Sequence, residues 1–208
     1  YPSDSVFRDL YGSQTSDTQG ELRLNVKHRR NGWTVNANYQ LVALYGDIFV
    51  LPDDRRRYFD LTSVVDTGSK SALLHRLDRL WVGYTSEKFV ARLGRQALSW
   101  GNGVFYAPMD LVNPFDPATI DTEYKAGDDL MYLQYLNDSG SDVQGAYVVR
   151  RNYLSGEVDS ASATTAMKFH GFAGEGEFDV LLARHYQDDV LGFGASHALG
   201  GAHWSSDL

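Results

Sequence analysis

From Trp33 to Tyr45 apolar side chains fall on every second residue. Trp33, Val35, Ala37, Tyr39, Leu41, Ala43 and Tyr45 interleave with Thr34, Asn36, Asn38 and Gln40. A repeat of two belongs to a pleated strand with one apolar and one polar face; a helix would repeat about every 3.6 residues. Leu22, Leu24 and Val26 alternate in the same way with Glu21, Arg23, Asn25 and Lys27, and Asn31-Gly32 separates the two runs. Asn-Gly between alternating runs predicts a tight antiparallel hairpin, because both residues accept the positive φ of its turn. The second run covers the ~9 to 11 residues that a tilted strand needs to cross a bilayer. Val35, Tyr39 and Leu41 are therefore expected to face lipid, and Asn36, Asn38 and Gln40 a lumen.

The pattern recurs along the chain. Leu80, Val82 and Tyr84 lead through Ser86-Glu87-Lys88 into Phe89, Ala91 and Leu93, with Arg92 on the other face. Met131, Leu133 and Tyr135 are set against Val143, Tyr147 and Val149, with Gln134, Gln144 and Arg150 opposite. Thr165, Met167, Phe169 and Gly171 pair with Phe178, Val180 and Leu182, leaving Lys168 and His170 on the second face. A strand over Val190 to Leu199 reaches Gly200-Gly201, and a tenth begins at Ala202. Short turns near 31, 87, 139, 175 and 200 alternate with other links, which are long at 47–71 and 97–128, moderate at 152–160 and brief near 188. Short turns on one side and longer loops on the other are the signature of an outer-membrane barrel. Arg76 and Asp78 are expected to share a face with Leu80, Val82 and Tyr84, as Arg184 does with Leu182, so these charges are expected to lie beyond the apolar band, on the long-loop side.

The predicted fold is all-β, an antiparallel up-and-down transmembrane β-barrel, here an incomplete fragment of about ten strands. Residues 1–18 form an N-terminal segment, either a short helix built on Val6, Phe7, Leu10 and Tyr11 or a disordered terminus. Residues 19–208 form the barrel portion. Its link at 97–128 is expected to fold inward, since Leu98, Trp100, Val104, Phe105, Tyr106, Met109, Leu111, Val112 and Phe115 need burial while Pro108, Pro114 and Pro117 prevent a strand. The candidate constriction or ligand-binding residues are Arg92, Arg95 and Gln96 on the adjoining strand and Trp100, Asn102, Asp110, Asn113, Asp116 and Lys125 in the link. A purely structural plug, with Arg95 paired to Asp110 or Asp116, is the alternative.

Composition narrows the picture further. Tyr 13, Phe 10 and Trp 4 against Met 3 suit pleated strands and wet apolar boundaries. A net charge of -8 argues against a general nucleic-acid binder, which needs a cationic surplus to displace counterions. The absence of cysteine removes disulfides, thiolate metal sites and cysteine nucleophiles. Nothing approaches the ~18 consecutive apolar residues of a membrane helix, and the sequence opens at Tyr1 without a charged-then-apolar export signal, which is expected to be already missing if the protein is exported.

Catalysis and cofactors find no pattern. The six histidines are dispersed, no GxSxG elbow surrounds Ser99, and Asp110, Asp116, Asp121, Glu123, Asp128 and Asp129 lack the spacing of a calcium loop. No enzyme, metal or cofactor is expected. Arg55-Arg56-Arg57 reads either as a solvated loop or as a contact for lipopolysaccharide phosphates.

Gly94-Arg95-Gln96, Ser99-Trp100-Gly101 and Asn113-Pro114-Phe115-Asp116-Pro117 together resemble a motif of Gram-negative outer-membrane porin-like β-barrel families, largely uncharacterised. Similar runs occur in capsule-associated surface-lectin barrels. The resemblance extends more loosely from Leu73 to the C-terminus through Arg76-Leu77-Asp78-Arg79 and Gly127-Asp128-Asp129. It implies a closed barrel in the bacterial outer membrane with an inward loop, in chains usually longer than this one. The expected function is a porin-like passive channel for small polar solutes, with outer-membrane lipid and lipopolysaccharide as surroundings. A non-transporting glycan-lectin-like barrel and a soluble all-β binding module stay open as alternatives.

Overall fold

The computed structural model describes residues 16–47, 51, 54–101, 107–114 and 125–208, apart from the side chain of Leu199. The expected N-terminal helix at Val6 to Tyr11 lies outside these residues. Among the described residues there are eleven strands: β1 (Asp17–Arg30), β2 (Trp33–Gly46), β3 (Thr62–Thr67), β4 (Ser71–Thr85), β5 (Phe89–Gln96), β6 (Asp128–Leu136), β7 (Asp142–Val148), β8 (Thr164–Ala173), β9 (Gly176–His185), β10 (Asp188–Leu199) and β11 (Ala202–Asp207). They form one antiparallel up-and-down sheet in the order β1-β2-β4-β5-β6-β7-β8-β9-β10-β11. Among the described residues the sheet does not close on itself, and β1 and β11 are its edges.

The Asn31-Gly32 hairpin forms as its residues dictate. Asn31 has φ 50 and Gly32 φ 82, and the turn sets Arg30 opposite Trp33 and Leu24 opposite Tyr39. The registers Met131 to Tyr147, Tyr135 to Val143, Met167 to Leu182 and Phe169 to Val180 match the pairing read from the alternation. β1 starts ahead of the expected boundary at residue 19.

Two expectations need correction. The 47–71 link contains β3, which pairs with Ala72–Arg76 of β4 beside the stretch that β5 pairs with, raising the count from ten to eleven. The link near 188 is brief as expected, a two-residue turn, Tyr186–Gln187, with Tyr186 at φ 55. Arg76 and Asp78 do not share a face with Leu80. One extra residue in β4 opposite Asn38 and Tyr39 makes a bulge at Asp78, and a bulge reverses the parity of everything beyond it. Ala72, Leu74 and Asp78 are thus buried, whereas Leu80, Val82 and Tyr84 are exposed.

The two faces differ in the opposite sense from a water-soluble sandwich. The exposed face carries Leu22, Leu24, Val26, Val35, Val82, Leu93, Met131, Leu133, Met167, Leu182 and Leu191. Near the short turns it carries the exposed rings of Trp33, Tyr84, Phe89, Tyr135 and Phe169, with Trp33 and Tyr84 in contact at 5.2 Å between centroids. The other face holds Thr34, Gln40, Asp128, Asp142, Thr164, Lys168, Asp179 and Ser196, all buried. The buried core lies on this polar face. Trp100, Met109 and Val112 of the β5–β6 link pack there on Leu130, Tyr132, Ala146, Val148, Ala166 and Leu181. Gly192 permits the approach: a Cβ there would stand 3.0 Å from Met109 Cγ.

Candidate functional site

The described parts of the link between β5 and β6, 97–101, 107–114 and 125–127, lie on the polar face, and their polar side chains bind them in place. Trp100 Nε1 donates to Gln144 Oε1 at 2.6 Å, an oxygen that also accepts from Tyr132 at 3.0 Å, while Gln144 Nε2 donates to Asp142 at 2.8 Å. Lys125 uses its ammonium on Leu98 O at 2.5 Å, Ser99 Oγ at 3.2 Å and Asp110 Oδ1 at 2.5 Å. Three donors meet three acceptors, which is what an ammonium needs to be buried. Burial pushes the Asp110 carboxyl above its ordinary value and the Lys125 ammonium below its own, the ion pair opposing both without prevailing. Asn113, at φ 45, donates to Gly127 O at 3.2 Å, and Gln96 donates to Leu130 O at 3.3 Å. Arg79 donates to Lys125 O from β4, adding a further tie.

Arg95 does something else. Its guanidinium, 1% exposed, bonds Asp129 Oδ1 at 2.9 Å through Nε and Asp54 Oδ2 at 2.9 Å through Nη1. Asp110 is not among its described partners, being paired with Lys125 instead. Leu80 and Asp129 stand directly opposite Arg95 on the two neighbouring strands, and Asp129 also accepts from the Phe59 backbone N–H at 2.8 Å. Phe59 in turn borders an apolar hollow of about 580 Å³ with Val35, Leu80, Val82, Leu93 and Met131. Arg95 and Asp129 therefore lie at the long-link end of the apolar face, under residues 54–61. Burial raises the Asp54 carboxyl, but Arg57, the Thr62 hydroxyl and Arg95 together outweigh it and hold Asp54 below its ordinary value.

The structure thus brings together Gln96, Trp100, Asp110, Asn113 and Lys125 on one face and puts Arg95 on the other. Arg92 is on the polar face, its guanidinium 5.4 Å from the Trp81 ring and 5.3 Å from that of Tyr132. Asn102 and Asp116 lie outside the described residues. Asp54 and Asp129 escaped the sequence reading as partners of Arg95, although its parity with Leu93 already pointed away from the lumen. Further ion pairs line the polar face: Arg150 with Asp128 at 2.7 Å, and Lys168 with Asp179 at 3.2 Å. Among the described residues no three His, Asp or Glu side chains converge as metal ligands would. No protein-family model matches the chain, and no curated protein matches its sequence.

Proposed function

We propose that this sheet is wall material of a bacterial outer-membrane β-barrel that serves as a porin-like passive channel for small polar solutes. The observation that carries the reading is the inversion of the faces. Leu22, Leu24, Leu93 and Leu133 are exposed on one side while Asp128, Lys168 and Asp179 are buried on the other. Water would penalise so much uncovered apolar surface, and hydrocarbon would reward it. The rings beside the short turns sit where a barrel places an aromatic girdle. Four charges on the apolar face support the same reading: Arg95, Asp129, Arg184 and Asp189 stand at the long-link end, paired with acidic or basic partners, while Arg30 stands at the opposite rim beside the Asn31-Gly32 turn.

The proposal includes closure. Hydrocarbon offers no partner to the outer N–H and C=O groups of β1 and β11, so both edges must pair with strands. Solute choice then follows from lumen width and the fixed charges on the polar face and its inward link, with no chemical step. Arg55 and Arg151, held 4.4 Å over Tyr153 and 5.5 Å over Tyr58, stand beyond the apolar face where lipid phosphates would lie. Planar-bilayer recording of the protein tests the channel. Stepwise, ohmic conductance is expected, and protein that inserts correctly yet gives no current steps would overturn it.

A further inference from the structure

At the short-turn end of the polar face, β1, β2, β4 and β5 enclose a hollow of about 180 Å³ lined by Lys27, Arg29, Thr34, Trp81, Gly83, Thr85 and Arg92. Its construction follows from the register. Arg29 stands opposite Thr34, Thr34 opposite Gly83, and Gly83 opposite Arg92, so one transverse row reads cation, hydroxyl, glycine, cation. The next row places Lys27 opposite Asn36 and Asn36 opposite Trp81. Two long cationic side chains thus border the two smallest residues of the row. Gly83 cannot be enlarged without crowding the wall, since a Cβ would fall 2.9 Å from Ala91 O and 3.0 Å from Arg92 Cγ.

The charges are unbalanced. Arg29 donates from Nε to Thr34 Oγ1 at 3.3 Å, and Arg92 rests on the Trp81 and Tyr132 rings. No described carboxylate forms an ion pair with Lys27, Arg29 or Arg92 and none lines the hollow, in a chain whose net charge is -8. On the same face Arg23 is matched to Glu21 at 2.6 Å, Arg150 to Asp128 and Lys168 to Asp179, while Arg76 donates to Gln40 Oε1. Three like charges around one small space repel one another, and an anion between them removes the repulsion while accepting charge-assisted hydrogen bonds.

We propose that this hollow is a binding site for a small oxyanion of the phosphate or carboxylate class. It deepens the channel reading by naming the solute class, and it rests on that reading only in taking the polar face to be the water-filled one. The guanidinium groups of Arg29 and Arg92 grip the oxygens from opposite sides, Lys27 adds a point charge, and the Thr34 and Thr85 hydroxyls bond the remaining oxygens. The Trp81 ring fixes the position of Arg92.

Calorimetric titration of the detergent-solubilised protein with inorganic phosphate at low ionic strength tests the site. Saturable binding is expected, weakened at least tenfold by Lys27→Gln with Arg29→Gln, and unchanged by Lys70→Gln at the far end of the sheet. Both β1 side chains are exposed, so the double variant should fold. Thr85→Asp provides the second arm: a carboxylate in the hollow should abolish phosphate binding without removing a cation. Absence of saturable binding, or an isotherm that neither change alters, would overturn the site. Binding without bilayer current keeps the site and removes the channel; current without phosphate binding does the reverse.

Discussion

The described parts of the two long links lie on opposite faces of one sheet, and they hold on by different means. Residues 54–61 lie at the rim of the apolar face, where Asp54 and the Phe59 backbone close over Arg95 and Asp129. The described parts of the β5–β6 link lie on the polar face and bury Trp100, Met109 and Val112 in a core of their own, tied at one end by Lys125 and Asp110. The first link is mostly polar and works as a cap over charges that the apolar face cannot leave bare. The second is apolar and fills space on a wall that is otherwise polar. A link is thus drawn to whichever face lacks what it carries: charge partners in one case, apolar surface in the other.

Removing the central cation of each region should separate them most widely. Arg95→Met strips Asp129 of its guanidinium partner and leaves Asp54 with Arg57 alone, and should cost about 3 to 5 kcal/mol. Lys125→Met leaves Asp110 alone, whose carboxyl burial already pushes towards the neutral form; the cost should be about 1 to 3 kcal/mol, that of an unmet buried polar group. Urea unfolding of the detergent-folded protein measures both, and equal losses would break the comparison.

A smaller effect is expected from acid. Asp54 is held below its ordinary value, so its contribution is complete above the unfolded carboxylate range of about 4 and disappears as pH falls through the lower folded value. Asp110 is displaced upward, so protonating it favours the folded state and does not release the second link. Protection of the Phe59 amide against hydrogen exchange should therefore fall below about pH 4, while that of Asp110, whose amide donates to Ala107 O at 2.9 Å, should hold. Parallel loss at both amides would show that the links do not differ in this way.

Much of this architecture can be read from residue order. The alternation of Trp33 to Tyr45 shows which side is apolar, Asn31-Gly32 fixes the β1–β2 register, and the paired runs about Gly174 fix that of β8 and β9. Such features are local, set by a turn of a few residues and a period of two. β3 was missed because Val64 and Val65 are adjacent and break the alternation. The Asp78 bulge was missed because one inserted residue leaves no mark on composition while reversing every side chain beyond it. Of the candidate site, the burial of Trp100 and Met109 followed from apolarity among prolines. The partners of Arg95 did not, because Asp54 lies 41 positions away in another link. The basic hollow is partly legible: the β1–β2 turn alone places Arg29 opposite Thr34, but bringing Arg92 alongside depends on pairing β2 with β4 across the whole first link.

Every functional statement made for this protein depends on the apolar face meeting hydrocarbon and the polar face meeting water. Nitroxide labels at Val35, Leu133 and Met167, compared with labels at Lys27 and Asn36, test this in the protein reconstituted in lipid vesicles. The first three should be relaxed by oxygen dissolved in the bilayer and shielded from a water-soluble nickel chelate, and the last two should show the reverse. Free access of the chelate to all five positions, or protection of Lys27 and Asn36 with exposure of the other three, would contradict the account.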